Sequence, residues 1–355
     1  MNPVVITGIG VVSAVGIGRE AFTRALAGTP TAEGGFRVPN FRLEEHLENA
    51  RSFRRVADTT KFTLAAISLA LADAGLAGGR EENGRGGLVV GVTHGAIVFS
   101  TLFHEGLLKE GPQGASPLYF SESVLNAPAG NAAIAFGIRG PVHTLIGEET
   151  VGVQAIGLAT SLLRCGALDW CIVAGAEEWC GIVSHAYTQV DRARNMHRET
   201  VETAAPLGEG AAALILETGS AADRRGATLR GAIDAVKFRR CRPGTMTAEV
   251  EDLVRETMQT AGLRRQGVGH VVLPTGRNRR PVEMGAVAAM GERGPVVRWI
   301  DIAPHVGNPF GAAGLLQVAA SAALLSSGNV EGAGLVLSSG VERSFSALVV
   351  VSGER

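Results

Sequence analysis

The chain has no surplus of charge of either sign. Lysine and arginine number 33 against 34 aspartates and glutamates, a formal charge of −1. Attachment to nucleic acid or to anionic lipid needs a basic excess or a basic patch, so neither partner is expected. Cysteine is also scarce. Cys165, Cys171, Cys180 and Cys241 show no paired C-x-x-C spacing, and Cys171 falls in an apolar run where a thiol acts as a small hydrophobe. With an N-terminus that reads straight into a strand rather than a signal peptide, the expected location is the cytoplasm. The uncharged stretch from Pro309 to Val330 is mostly Gly, Ala, Ser and scattered Leu. It predicts a buried helix, and no membrane span is expected. His94, His143 and His185 share no i, i+4 spacing that would define a metal face, so neither metal nor cofactor is expected.

What is present is length and alternation. At 355 residues the chain exceeds the usual single core, which favours two lobes or one large α/β unit. Val4-Val5-Ile6 predicts a buried strand, with Thr7-Gly8-Ile9-Gly10 as a tight turn after it. Gly8-x-Gly10 lacks the third glycine, the immediate helix and the later acidic residue of a dinucleotide loop, so nucleotide binding is not expected. Apolar residues Phe62, Ala65, Ala66, Leu69 and Ala72 recur at helical spacing over Thr59–Leu76. Leu88–Val92, Trp170–Gly175 and Ala211–Leu216 read as buried strands. A second cycle has strands at Thr228–Val236 and His270–Leu273 and helices at Met246–Ala261 and Ala312–Leu325. This order predicts a layered α/β fold of two similar halves, 1–220 and 221–355, with Gly219–Gly226 as a short connector.

Several segments, in order, resemble the β-ketoacyl synthase family, which has the thiolase fold. They are Val4–Ser13, Phe136-Gly137-Ile138-Arg139-Gly140-Pro141, Val173-Ala174-Gly175-Ala176-Glu177, Gly208-Glu209-Gly210-Ala211 and Gly311-Ala312-Ala313-Gly314. Together they cover nearly the whole chain. The resemblance implies two α/β halves in a five-layer arrangement, a dimer, and a catalytic cysteine at a buried helix N-terminus, where free amides and the helix dipole favour a thiolate and an oxyanion.

Residue by residue, the family's catalytic groups are missing. Counted from Gly140-Pro141, the cysteine position is Glu149, within Gly147-Glu148-Glu149, and a glutamate cannot form the acyl thioester that elongation requires. Its carboxylate would be stabilised by the end of a helix beginning near Thr150. The nearest thiol, Cys165, lies about four helical turns further on. The first family histidine is replaced by Thr275, after a short deletion before Glu283. The second histidine falls at Asn308 and the family lysine at Ala303. His305 lies three residues from Asn308, in a segment expected to be extended and bent by Pro304 and Pro309, and is not expected to replace the missing histidine.

Loss of all four groups resembles the chain length factors, cysteine-less homologues that pair with an active ketosynthase and shape its acyl tunnel. By that resemblance the tunnel wall is the helix from Ile97 to Lys109, with Phe99, Leu102, Phe103, Gly106 and Leu107 as candidates. Their spacing is also that of any core-facing helix. The partners implied are an active ketosynthase homologue and, through that complex, an acyl carrier protein. Arg239, Arg240, Arg242, Arg277, Arg279 and Arg280 form basic runs that would suit an acidic carrier protein, or stand as solvated loop charge. Two other functions stay open. One is a divergent acyl-thioester enzyme, a decarboxylase, hydrolase or acyltransferase, using Glu149 as base; the other is a non-enzymatic acyl-binding or scaffold homodimer. The chain on its own is not expected to be an elongating enzyme.

Overall fold

The computed structural model describes residues 2–29, 35–76, 85–195, 205–290, 297–328 and 330–353. Among the described residues ten strands form the main path of the sheet, and a two-residue strand, Gly16–Ile17, pairs with the first of them off that path. Those of the first half are β1 (Val4–Ser13), β2 (Gly86–Val92), β3 (Val142–Ile146), β4 (Trp170–Glu177) and β5 (Gly210–Thr218). Those of the second are β6 (Gly231–Arg240), β7 (Val268–Val272), β8 (Arg298–Ile300), β9 (Ala333–Ser339) and β10 (Ser344–Val351). From edge to edge they run β3-β2-β4-β5-β1-β6-β10-β9-β7-β8. The order of the second five repeats that of the first in mirror sequence. The ladder types repeat as well: parallel between the outer three strands of each set, antiparallel for the two inner ladders. The sets join where Val4, Val5 and Ile6 pair antiparallel with Ile233, Ala232 and Gly231.

The helices that matter for the site are α1 (Asp58–Asp73), α2 (Ile97–Glu110), α3 (Pro117–Ser123), α4 (Ala127–Ala135), α5 (Val151–Arg164), α6 (Gly181–Asn195), α7 (Met246–Thr260), α8 (Arg279–Met290) and α9 (Ala313–Ser326). Three large apolar clusters show the layering. Residues of α1 and α4 pack on one face of the first strand set, and residues of α7 and α8 on the far face of the second. Between the sets, Val153, Ile156 and Leu163 of α5 meet Leu315, Leu316 and Ala319 of α9 together with strand residues from both halves. The result is the five-layer thiolase-like fold, helix on sheet on helix on sheet on helix. The middle layer is tight: a Cβ on Gly314 would lie 2.6 Å from Val153 Cγ2 and 2.9 Å from its amide nitrogen.

Several expectations need correction. Thr7–Gly10 is not a turn but the middle of β1. Its glycines are required because α1 crosses so closely that a Cβ on Gly8 or Gly10 would run into the carbonyl oxygens of Ala70 and Ala66. The connector between the halves coils into a short helix, Gly219–Arg224, capped by the Thr218 hydroxyl accepting from the Ala221 amide at 3.2 Å. His305 is in a short helix, Ala303–Val306, not an extended segment. Pro304 sits in its first turn, where a missing N–H disturbs nothing. The uncharged stretch does supply the expected buried helix, α9, over Ala313–Ser326, and among the described residues no helix is long and apolar enough to cross a membrane.

Candidate functional site

Loops at the ends of strands from both halves converge ahead of α5. Glu149 stands just before that helix, Thr275 follows β7, and Asn308 follows the Ala303–Val306 helix. All three side chains are buried. Thr275 Oγ1 donates to Asn308 Oδ1 at 3.4 Å, and Asn308 Nδ2 donates to Glu149 Oε1 at 3.4 Å. The structure therefore brings together three of the four positions singled out in the sequence. Ala303 is also buried, in the first turn of its helix, and adds no polar side chain. The loops are held from beneath by Gln317 of α9, whose Nε2 donates to Leu273 O at 2.6 Å and Leu337 O at 2.7 Å, tying the ends of β7 and β9 to one helix.

Glu149 does not draw its stabilisation from the first turn of α5. Its Oε2 accepts from the Val341 amide at 3.1 Å, in the turn joining β9 and β10, and the Arg277 guanidinium stands 4.0 Å from Oε1. Burial pushes the Glu149 carboxyl above its ordinary value. Its own backbone N–H, Arg277 and the Val341 amide pull the other way without cancelling the shift. The preceding Glu148 grips the same turn, with Oε2 accepting from the Glu342 amide at 2.6 Å and Oε1 from Ser344 Oγ at 3.0 Å. Two adjacent carboxyls of the first half thus hold a turn of the second. The amide that meets Glu149 is the kind of donor that would serve an oxyanion, and here it already has a partner.

Sequence reasoning missed a second group beside the first. His94, after β2, places Nδ1 2.8 Å from Glu177 Oε1 and Nε2 3.1 Å from the Tyr187 hydroxyl. Glu177 is the last residue of β4 and fully buried. Burial raises its carboxyl and the hydrogen bond from His94 lowers it, with a net upward shift. Arg277 lies 4.3 Å over the Tyr187 ring and pairs with Asp191 through Nε at 2.7 Å and Nη2 at 2.8 Å. A glutamate at the end of a wholly apolar strand is a legible signal, since a buried carboxyl needs a partner. Its partner His94 lies 83 residues away in sequence.

The remaining candidates disperse. His143 and His185 are exposed, and His305 is buried with its pKa lowered by desolvation. Cys171 is buried in β4, its thiol pushed up to about 12 by desolvation, while Cys165 is exposed. Of the tunnel candidates on α2, Phe99, Phe103, Gly106 and Leu107 are half-buried and Leu102 is 38% exposed. Phe99 meets Tyr119 edge-on and Phe103 meets Phe120, at centroid distances of 5.4 and 5.6 Å. Five of the six arginines of the basic runs are engaged within the chain: Arg239, Arg240, Arg242 and Arg279 pair with Glu256, Glu342, Glu249 and Glu283, and Arg277 turns inward, while Arg280 is exposed.

Comparison with known proteins follows the same lines. A family model described as the β-ketoacyl synthase N-terminal domain matches residues 27–222. The 3-oxoacyl-[acyl-carrier-protein] synthase 2 of Rhizobium meliloti (strain 1021) is 26% identical over 369 residues, covering 91% of this chain and 86% of its own. The solved ishigamide ketosynthase/chain length factor superposes with a TM-score of 0.83 at 19% identity, over 99% of both chains. A ketosynthase solved with its type II polyketide acyl carrier protein, and bound to the hexaketide, gives 0.83 at 17% identity over 99% of this chain and 100% of that one. At such identities the structural likeness establishes the fold.

Proposed function

This chain belongs to the β-ketoacyl synthase family, and from that premise we propose that it is a non-elongating, chain-length-factor-like subunit that works beside an active ketosynthase in polyketide, polyene or fatty-acid-like synthesis. The observation that carries the reading is the state of the position matched to the nucleophile. Glu149 is buried, cannot form an acyl thioester, and is hydrogen-bonded to Asn308 and Val341, with no histidine or lysine at the matched positions. The two halves are read as 1–220 and 221–355, and the partner as docking along β3. Among the described residues that strand ends the sheet, and Ile146 on it and Ile134 on the adjoining α4 are 62% and 76% exposed. Unpaired backbone and apolar side chains together favour a covering partner. The carrier protein would reach this chain through that complex.

The test is co-purification with an active ketosynthase, then malonyl elongation assays on each protein alone and on the pair. Elongation by the pair but not by this chain supports the reading; elongation by this chain alone ends it. Within an intact pair, Phe103→Ala should lengthen the products, because the wall retreats by roughly a benzyl group. Product analysis on that pair decides it, and unchanged length removes Phe103 from the tunnel. The raised pKa of Glu149 favours a second reading, a thioester enzyme with Glu149 as base. Thiol release by this chain alone that disappears in Glu149→Gln would select it.

A further inference from the structure

The accessory role leaves the His94 group unused. Three observations single out Tyr187 within it. The first is a chain of hydrogen bonds: Glu177 Oε1 to His94 Nδ1 at 2.8 Å, and His94 Nε2 to Tyr187 Oη at 3.1 Å. A buried carboxylate accepting from Nδ1–H leaves Nε2 free to accept from the tyrosine hydroxyl, the arrangement that orients a base toward a nucleophile. The second is Phe310, with a φ of 35°, in the left-handed region that an aromatic residue rarely adopts. Its ring stands 4.7 Å from the His94 ring and 4.8 Å from the Tyr187 ring, so this unusual backbone sets a wall against both. The third is the Arg277 cation, 4.3 Å over the Tyr187 ring and anchored by Asp191, where it would favour negative charge developing on the phenol. The His94 side chain retains 16% exposure and Tyr187 is half-buried, so the group is not sealed from solvent.

We propose that Tyr187, His94 and Glu177 form a nucleophile, base and acid triad that accepts an acyl group from a thioester. The substrate class rests on the family reading above; the triad rests on the geometry. Tyr187 Oη attacks the thioester carbonyl carbon while its proton passes to His94 Nε2. The C–S bond breaks, and His94 returns the proton to the departing sulfur, leaving an acyl-tyrosine ester and a free thiol. Water then attacks the ester carbon and gives one proton to His94. The C–O bond to Tyr187 breaks, the carboxylic acid departs and His94 reprotonates the phenol. The net reaction is thioester hydrolysis, with no oxidant or metal. At rest Tyr187 keeps its proton, burial having pushed its hydroxyl up to about 12, so the proton leaves as His94 receives it. No carbon–carbon bond forms, and the chemistry is separate from elongation.

The test uses the full chain alone with an octanoyl thioester of N-acetylcysteamine, reading thiol release and peptide masses. The expected result is thiol release with an octanoyl adduct on the peptide containing Tyr187. Both should fall about a hundredfold or more in Tyr187→Phe, which removes one oxygen and keeps the ring packing, and in His94→Gln. No release above the thioester's own hydrolysis, release unchanged in Tyr187→Phe, or an adduct confined to Cys165 or any other residue would overturn the proposal. Elongation is read on the pair and thiol release on this chain alone, so failure of the triad and failure of the accessory role are separately visible.

Discussion

Gly10→Val should leave the chain without a stable fold, a loss of at least about 4 kcal/mol. Gly10 lies in β1 under α1, and a Cβ there would meet the Ala66 carbonyl oxygen, with the Ala70 nitrogen at 2.6 Å and the Ala66 carbonyl carbon at 3.0 Å. These are backbone atoms of a helix buried along most of its length, so no side chain can swing aside. The helix must lift from the sheet, opening the core cluster that contains Phe62, Leu64 and Ile67. β1 is also the strand through which the two halves join, by the three pairs at Val4, Val5 and Ile6. Soluble yield and a urea transition measure the effect. Gly130→Ala is the control, on the exposed face of α4 with open space around it. It should be neutral or gain up to about 1 kcal/mol of helix propensity. A Gly10→Val protein with the wild-type transition would show that α1 does not ride this close to β1.

Acid should weaken the protein through His270, by about 3 kcal/mol at full effect. His270 is buried on β7, with Nε2 2.8 Å from Ser321 Oγ. Desolvation, aided by the Arg298 charge, lowers its pKa from 6.5 to about 4. The unfolded chain therefore binds this proton more readily than the folded one. The neutral histidine carries no penalty above pH 6.5; the penalty grows as pH falls from there and levels off below about pH 4. The buried carboxyls with raised pKa, Glu149, Glu177 and Glu178, act in the opposite sense. They disfavour the fold as pH rises through the ordinary carboxylate range, so the His270 effect must be isolated by difference. His270→Gln keeps a group able to bond Ser321 and does not titrate. Plotted from pH 7 to pH 4, the stability of wild type relative to His270→Gln should fall steadily. A flat difference would mean that His270 gains its proton without leaving the core.

Much of the fold was legible because its burial is complete. β4, β5 and α9 are apolar nearly throughout, and a run with no polar face identifies itself. The strand pattern failed where the rule itself gives way. β3 is short and half-exposed at an edge, and β8 is three residues long, too brief to carry a period. Gly8 and Gly10 read as a turn because glycine marks both turns and close backbone contacts, and only the path of α1 distinguishes them. The Glu149, Thr275 and Asn308 positions were found by motif order, whereas Glu177 stood inside a quoted motif without its role being seen. His94, Tyr187 and Arg277 carried no local signal, because each is defined by partners on other elements.

The sequence by itself determined the family and the α/β class, since these depend on residue identity and order along one chain; the reading of Glu149, Thr275, Asn308 and Ala303 as replaced catalytic positions rests on the same motif order and is part of the proposal. The tertiary structure alone decided what these residues meet: that Glu149 accepts from the Val341 amide, that Arg277 turns inward to Asp191, and that His94 lies between Glu177 and Tyr187. The physical reason is that a hydrogen bond or an ion pair depends on separations of a few ångströms, and residues 83 to 192 positions apart come within that range only when the layers pack.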